Sequence, residues 1–158
     1  MRHVRAFTLV YPYRSLTLKS TVSVTGNGRT IDVPALWDTG ATQTCISSRI
    51  AEALELPVRG TSTAITPSGK GLFSSYLIDI ELPNGIVVSG MRVMGTEIHR
   101  QGLGVLIGMD VISQGDFAVS CKDGKTQFTF RMPSIEDANY VPPPDDAQAV
   151  GVRADQIG

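Results

Sequence analysis

A chain of 158 residues, 42% of them hydrophobic and 18% charged, can bury one good core but is too short for two domains of ordinary size. Its formal net charge of -1 supplies no field that would draw it to nucleic acid or to an anionic membrane, so neither is an expected partner. With two histidines, His3 and His99, and two cysteines, Cys45 and Cys121, a zinc site or a disulfide framework has little to draw on, and no metal or cofactor is expected.

In chain order, the first apolar run, AFTLVY (6–11), contains a threonine and stops at Pro12. That is short of a signal-peptide core and far short of a spanning helix, so the expectation is a cytoplasmic protein with reduced thiols. Strands are expected over 16–25 and 29–37, hinged at TGNGRT, and over 86–95 after LPNG. A further hairpin over 118–132 turns at CKDGKT. Each of these turns sets Asn-Gly or Asp-Gly between β-prone runs. One helix is expected over 47–56, with a serine cap, Ile50 and Leu54 one turn apart, and Pro57 to end it. A shorter one is expected over 108–114. Without regular alternation of strands and long helices, a doubly wound α/β sheet is disfavoured and the fold class is mostly β. From Pro133 onward the chain carries four prolines and five acids against one arginine, which divides it into a domain over 1–132 and a Pro-rich acidic tail over 133–158.

The informative stretch is VPALWDTGATQTCISS (33–48), where an apolar run ends on the carboxylate of Asp38 and enters a Thr-Gly turn. Asp-Thr-Gly alone is common enough by chance to be weak, and the bland alternative is an ordinary turn in which the aspartate caps its own backbone. Context sharpens it: Ala41 follows the glycine, and about seventy residues later comes GVLIGMDVI (104–112), an apolar pair followed by glycine and a short helix.

Together these elements resemble the retropepsin-like aspartic proteases, nearer the cellular than the viral branch, over roughly residues 6–131. The resemblance implies a single-lobe closed β-barrel with a flap hairpin and one or two short helices. It also implies a homodimer, because each chain supplies one aspartate and a two-fold axis brings the second. The reaction implied is endopeptidase hydrolysis: two Asp38 carboxylates in contact share one proton, the ionised member activates water, and the protonated one supports the developing oxyanion. Thr39 would lock the two loops across the axis, and Gly40 would let backbone approach the aspartate and the substrate. The flap is expected over 61–82, with its tip at Pro67-Ser68-Gly69-Lys70-Gly71, whose two glycines would let it open and close. Ala41, the flap residues Thr66, Pro67, Ser68 and Gly69, and Ile107 of the distal motif would touch a peptide or protein substrate held as an extended strand. Thr42 and Met109 stand where many viral enzymes carry an acid and an arginine in a salt bridge, so other contacts must hold the dimer. The 118–131 hairpin is the candidate for that interface.

Other readings carry less. ALWDTGAT echoes the Asp-x-Asp-x-Thr pattern of aspartate-nucleophile phosphatases, but Gly40 replaces their second aspartate and their alternating helices are missing. No serine elbow accompanies the two histidines. A retropepsin-like dimer that binds peptides or assembles complexes without cutting is the competitor from another class, and self-processing of a precursor is a further cellular purpose left open.

Overall fold

Alternation of buried and exposed residues builds the first hairpin. In β2 (Lys19–Gly26) Ser20, Val22 and Val24 are buried, and in β3 (Arg29–Trp37) Val33, Ala35 and Trp37 are. The tight turn between them places Asn27 and Gly28 at φ of 52° and 71°, the left-handed pair that suits the twist of a two-residue hairpin. In this computed structural model residues 3–66, 69–141, 151 and 154–156 are described.

The chain continues through β4 (Cys45–Ser47), α1 (Ser48–Ala53), β5 (Thr61–Thr66), β6 (Gly69–Glu81) and β7 (Val87–Thr96). After a 3-10 turn at Ile98–Gln101 come β8 (Val105–Ile107), α2 (Met109–Ile112), β9 (Asp116–Ser120) and β10 (Thr126–Met132). Strands pair in the order β2-β3-β8-β4-β7-β6, and the sheet closes on itself where β6 returns to β2 through Ser23↔Glu81, Val24↔Ile80 and Thr25↔Asp79. The result is the expected closed barrel, six strands round. Val22, Val24, Ile46, Ile80, Val93, Val105 and Ile107 fill it, none more than 1% exposed. β5 extends this sheet beyond β6 as the far arm of a hairpin.

A second, three-stranded sheet joins β10 to β9 on one side and to the N-terminal strand β1 (Arg5–Tyr11) on the other. Its inward aromatic residues pack on Trp37, with ring centroids 5.1 Å away for Phe130 and 6.0 Å for Phe117, the latter stacked at 9°. Such pairs add about 0.5–1.5 kcal/mol each beyond their burial. They fix the end of β3, the point from which Asp38 departs.

Three local expectations are corrected. Ser47 is the residue before α1 but its side chain makes no cap bond, because it is turned into the interior and 1% exposed. The helix stops before Pro57: Glu55 sits at φ 52°, and the Asn27 amide donates to the carbonyls of Leu54 and Glu55, capping the end from a distant hairpin. The hairpin expected to carry a five-residue tip at 67–71 instead pairs as far as Thr66↔Gly69, with Gly71 in the ladder opposite Ala64.

Beyond β10, the peptide bond between Met132 and Pro133 is cis. The chain then returns to β9, where the Asp116 carboxylate accepts from the Ser134 hydroxyl, the Ile135 N–H and the Arg131 guanidinium. The first residues past 133 are therefore pinned to the second sheet.

Candidate active site

The end of β3 is held from both sides. Trp37 is 4% exposed, and its indole N–H donates to Ser20 Oγ at 2.9 Å. The Asp38 N–H donates to the Ile107 carbonyl at 2.9 Å. The backbone then turns sharply: the Ala41 N–H donates to the Asp38 carbonyl at 3.2 Å, and the Gly40 N–H donates to the Asp38 carboxylate at 2.8 Å. A Cβ on Gly40 would stand 3.1 Å from that carboxylate oxygen, so any side chain there would press on the acid. Asp38 is half-buried, with Thr39 and Gly40 exposed beside it.

An aspartate bonded to its own loop is also what a plain Asx turn looks like. The neighbouring strand distinguishes this one. β8 runs parallel to β3, pairing Trp37 with Ile107, and the chain continues past the loop so that the Met109 N–H donates to the Ala41 carbonyl at 2.8 Å. Gly108 threads between these contacts, where a Cβ would lie 2.7 Å from the backbone carbon of Gln43 and 2.9 Å from the Ala41 oxygen. Only glycine fits, and the two sequence motifs are therefore one physical unit. Beneath it the Asp110 carboxylate accepts from both the N–H and the hydroxyl of Thr44.

Of the residues singled out from sequence, Asp38, Thr39, Gly40, Ala41 and Ile107 come together here. Ile107 contributes its carbonyl, while its side chain is 0% exposed inside the barrel because it shares the inward parity of Val105 on β8. Thr66 and Gly69 face each other near the end of the β5–β6 hairpin, whose Ile65 and Leu72 are 88% and 71% exposed. Pro67 and Ser68 lie outside the described residues. Residues missed from sequence are Thr44 and Asp110, whose short polar side chains carry no pattern that pairs them, and Cys45. Burial, reinforced by the Asp110 and Asp38 charges, pushes the Cys45 thiol up to about 11, so it stays neutral and is no nucleophile at physiological pH. Both cysteines are free. Among the described residues no three His, Cys, Asp or Glu side chains gather as metal ligands, and no helix is long and apolar enough to cross a membrane.

This constellation matches a family model described as "gag-polyprotein putative aspartyl protease" over residues 22–114, and the chain belongs to that family. No curated protein is significantly similar to it in sequence. Among solved structures it is similar to a retropepsin-like aspartic protease from Rickettsia conorii, with a TM-score of 0.54 at 13% identity, over 82% of this chain and 96% of that one. It is more loosely similar to the EIAV protease complexed with the inhibitor HBY-793, with a TM-score of 0.49 at 16% identity, over 65% of this chain and 90% of that one. The retroviral protease-like domain of Ddi1 from Leishmania major follows, with a TM-score of 0.41 at 21% identity, over 65% and 81% of the two chains. The fold is that of the retropepsins, as the sequence resemblance implies.

Proposed function

We propose that the chain is an aspartic endopeptidase that works as a homodimer, with Asp38 of each copy forming the catalytic pair. The observation that carries this reading is the clamp on the Asp38 loop: Ile107 holds its entry and Met109 its exit. A surface turn has no use for such a clamp. A single chain offers one such carboxylate, and general-acid and general-base roles in one water-activating site need two. Two-fold pairing supplies the second at no cost in sequence.

In the pair, the like charges cannot both persist in contact, so one proton is shared between them. The ionised carboxylate takes a proton from a water lying between the two as that water attacks the scissile carbonyl. The protonated carboxylate donates to the carbonyl oxygen as negative charge develops there, and the proton gained is passed to the leaving nitrogen. Thr39 is the residue that would tie the two loops across the axis, and Ala41 would lie against the substrate. The β5–β6 hairpin, with Thr66, Pro67, Ser68 and Gly69 at its end, would close over an extended peptide and bond it main chain to main chain. The edge strand β9, in the 118–131 hairpin, suits the subunit contact. No metal or cofactor enters this chemistry. We place the protein in the cytoplasm, where its two free thiols stay reduced.

The test is incubation of the full chain with a diverse peptide library read by mass spectrometry, alongside Asp38→Asn. Wild type should cut and the variant should retain less than about 1% of the activity, since an amide keeps the shape but cannot act as base. Undiminished cleavage by the variant would move the chemistry elsewhere. Peptide binding without cleavage by wild type would favour a dimeric peptide-binding module instead.

A further inference from the structure

Two large apolar side chains stand clear of the β5–β6 hairpin: Ile65 is 88% exposed and Leu72 71%. Apolar side chains left in water singly need no explanation, but a group of them on one surface marks a contact. These two are grouped. Thr63 pairs with Leu72 and Ile65 with Lys70, so all four side chains leave the same face of the hairpin, with Ile65 and Leu72 on the diagonal between neighbouring rows. Lys70 is exposed and is the only charged residue between positions 61 and 74. Among the described residues it makes no ion pair.

Alternation along the strand identifies that face. β6 runs without a register shift from Gly69 to Ile78, so Lys70 and Leu72 share the side of Tyr76 and Ile78. Ile78 is 2% exposed in the barrel core, and Tyr76 packs against that core. The exposed group therefore prolongs the inner surface of the barrel outward along the hairpin.

In the proteolytic reading, on which this inference rests, a peptide lies between the hairpin and Asp38, and its side chains meet this inner face. Ile65 and Leu72 offer apolar surface and suit an apolar side chain. Lys70 adds an ammonium on a flexible four-carbon stem, whose complement is a carboxylate. Lys70 and Leu72 are two residues apart on one strand, about 6.6 Å at 3.3 Å per residue, and residues two apart in an extended peptide have that same spacing on one side.

We propose that the inner face of the β5–β6 hairpin selects extended segments that carry a large apolar residue and, two positions from it, an aspartate or glutamate. Ile65 and Leu72 read the first and Lys70 the second. In a dimer each copy brings one hairpin, so the preference applies on both sides of the cut.

Paired peptides that differ only by Glu or Gln two positions from a leucine, placed on either side of the scissile bond, are incubated with the full chain, and kcat/KM is measured. The same pairs are titrated into Asp38→Asn, which reports binding without cleavage. Wild type should favour the Glu member about three- to fivefold, the size of one partly exposed ion pair. The preference should fade as sodium chloride is raised from about 0.05 M to about 0.5 M. Lys70→Gln should abolish it and Lys70→Glu should reverse it. Leu72→Ser, a change at an exposed side chain, should lower kcat/KM for both members about five- to tenfold. Equal values for the two members in both assays, or a preference that survives in Lys70→Gln, would overturn the proposal. Cleavage without the preference removes this inference and leaves the protease reading standing; a binding preference in Asp38→Asn with no cleavage by wild type does the reverse.

Discussion

Asp110 accepts two hydrogen bonds from Thr44, from its N–H at 2.9 Å and from its hydroxyl at 2.7 Å, and the same hydroxyl accepts from the Gly108 N–H at 3.1 Å. One threonine thus joins the exit of the Asp38 loop to the start of α2. Thr44 is 0% exposed, so no water can replace it. Thr44→Val keeps the shape and strips the hydroxyl, leaving Gly108 without an acceptor. It should cost about 1–3 kcal/mol, read as a lower urea midpoint at unchanged slope. Thr44→Ser should recover most of this, and an unaltered midpoint in the valine variant would show that the brace contributes nothing.

The shared-site reading makes a stoichiometric prediction. Refolding equal amounts of wild type and Asp38→Asn together gives about half mixed dimers by random pairing and roughly a quarter with two aspartates. Activity per wild-type chain should fall to about half that of wild type alone at the same total protein, and lower as the variant is added in excess. A ratio-independent activity, with chain exchange verified by native mass spectrometry, would exclude a two-chain active site.

Acid should loosen the fastening between the second sheet and the residues after it. The Ser134 hydroxyl, then the Ile135 N–H and the Arg131 guanidinium, hold the Asp116 carboxyl well below the usual carboxylate range. The folded state therefore binds this proton less readily than the unfolded state. The stabilisation is complete above the unfolded value of about 3.9 and fades as pH falls below it toward the lower folded value. Asp116→Asn should lower the urea midpoint at neutral pH, and its gap from wild type should narrow once the pH drops below about 4. A gap that stays constant across that range would mean that the ionised form of Asp116 has no special role.

The two thiols should react at very different rates. With its thiol pushed up to about 11, Cys45 presents roughly 0.1% thiolate at pH 8 and is half-buried besides, while Cys121 is exposed. Iodoacetamide should label Cys121 first, and Cys45 only after urea is added. Equal labelling of the native protein would contradict the placement of Cys45 behind the Asp38 loop.

Much of this was legible because local chemistry and tertiary structure agree. The Asn27-Gly28 turn, the alternation along β3 and the Asp38 and Ile107 motifs each appear in sequence as they act in the fold. What was hidden depends on residues far apart. β4 is three residues long, too short for any periodicity, and exists because β7 and β8 flank it. β1 is defined by β10, which it meets across more than a hundred residues. Gly71 reads as a tip glycine, yet it lies within the ladder opposite Ala64, where the Phe73 ring stands 2.9 Å from the place its Cβ would take. The buried side chain of Ser47 could not be told from an ordinary helix cap, because that choice is made by the interior it faces.

β6 belongs at once to the hairpin and to the barrel: its early residues pair with β5, and its last ones with β2 and β7. Where the two roles meet, Ser75 is 0% exposed, its backbone bonded to Arg59 and Gly60 and its hydroxyl 2.5 Å from that of Ser62. The hairpin therefore has no hinge at its base. It must flex as a cantilever, clamped at Ser75 and increasingly compliant toward Gly69, so amide exchange should quicken steadily outward along one unbroken strand, and whatever bends its outer end loads the barrel wall directly.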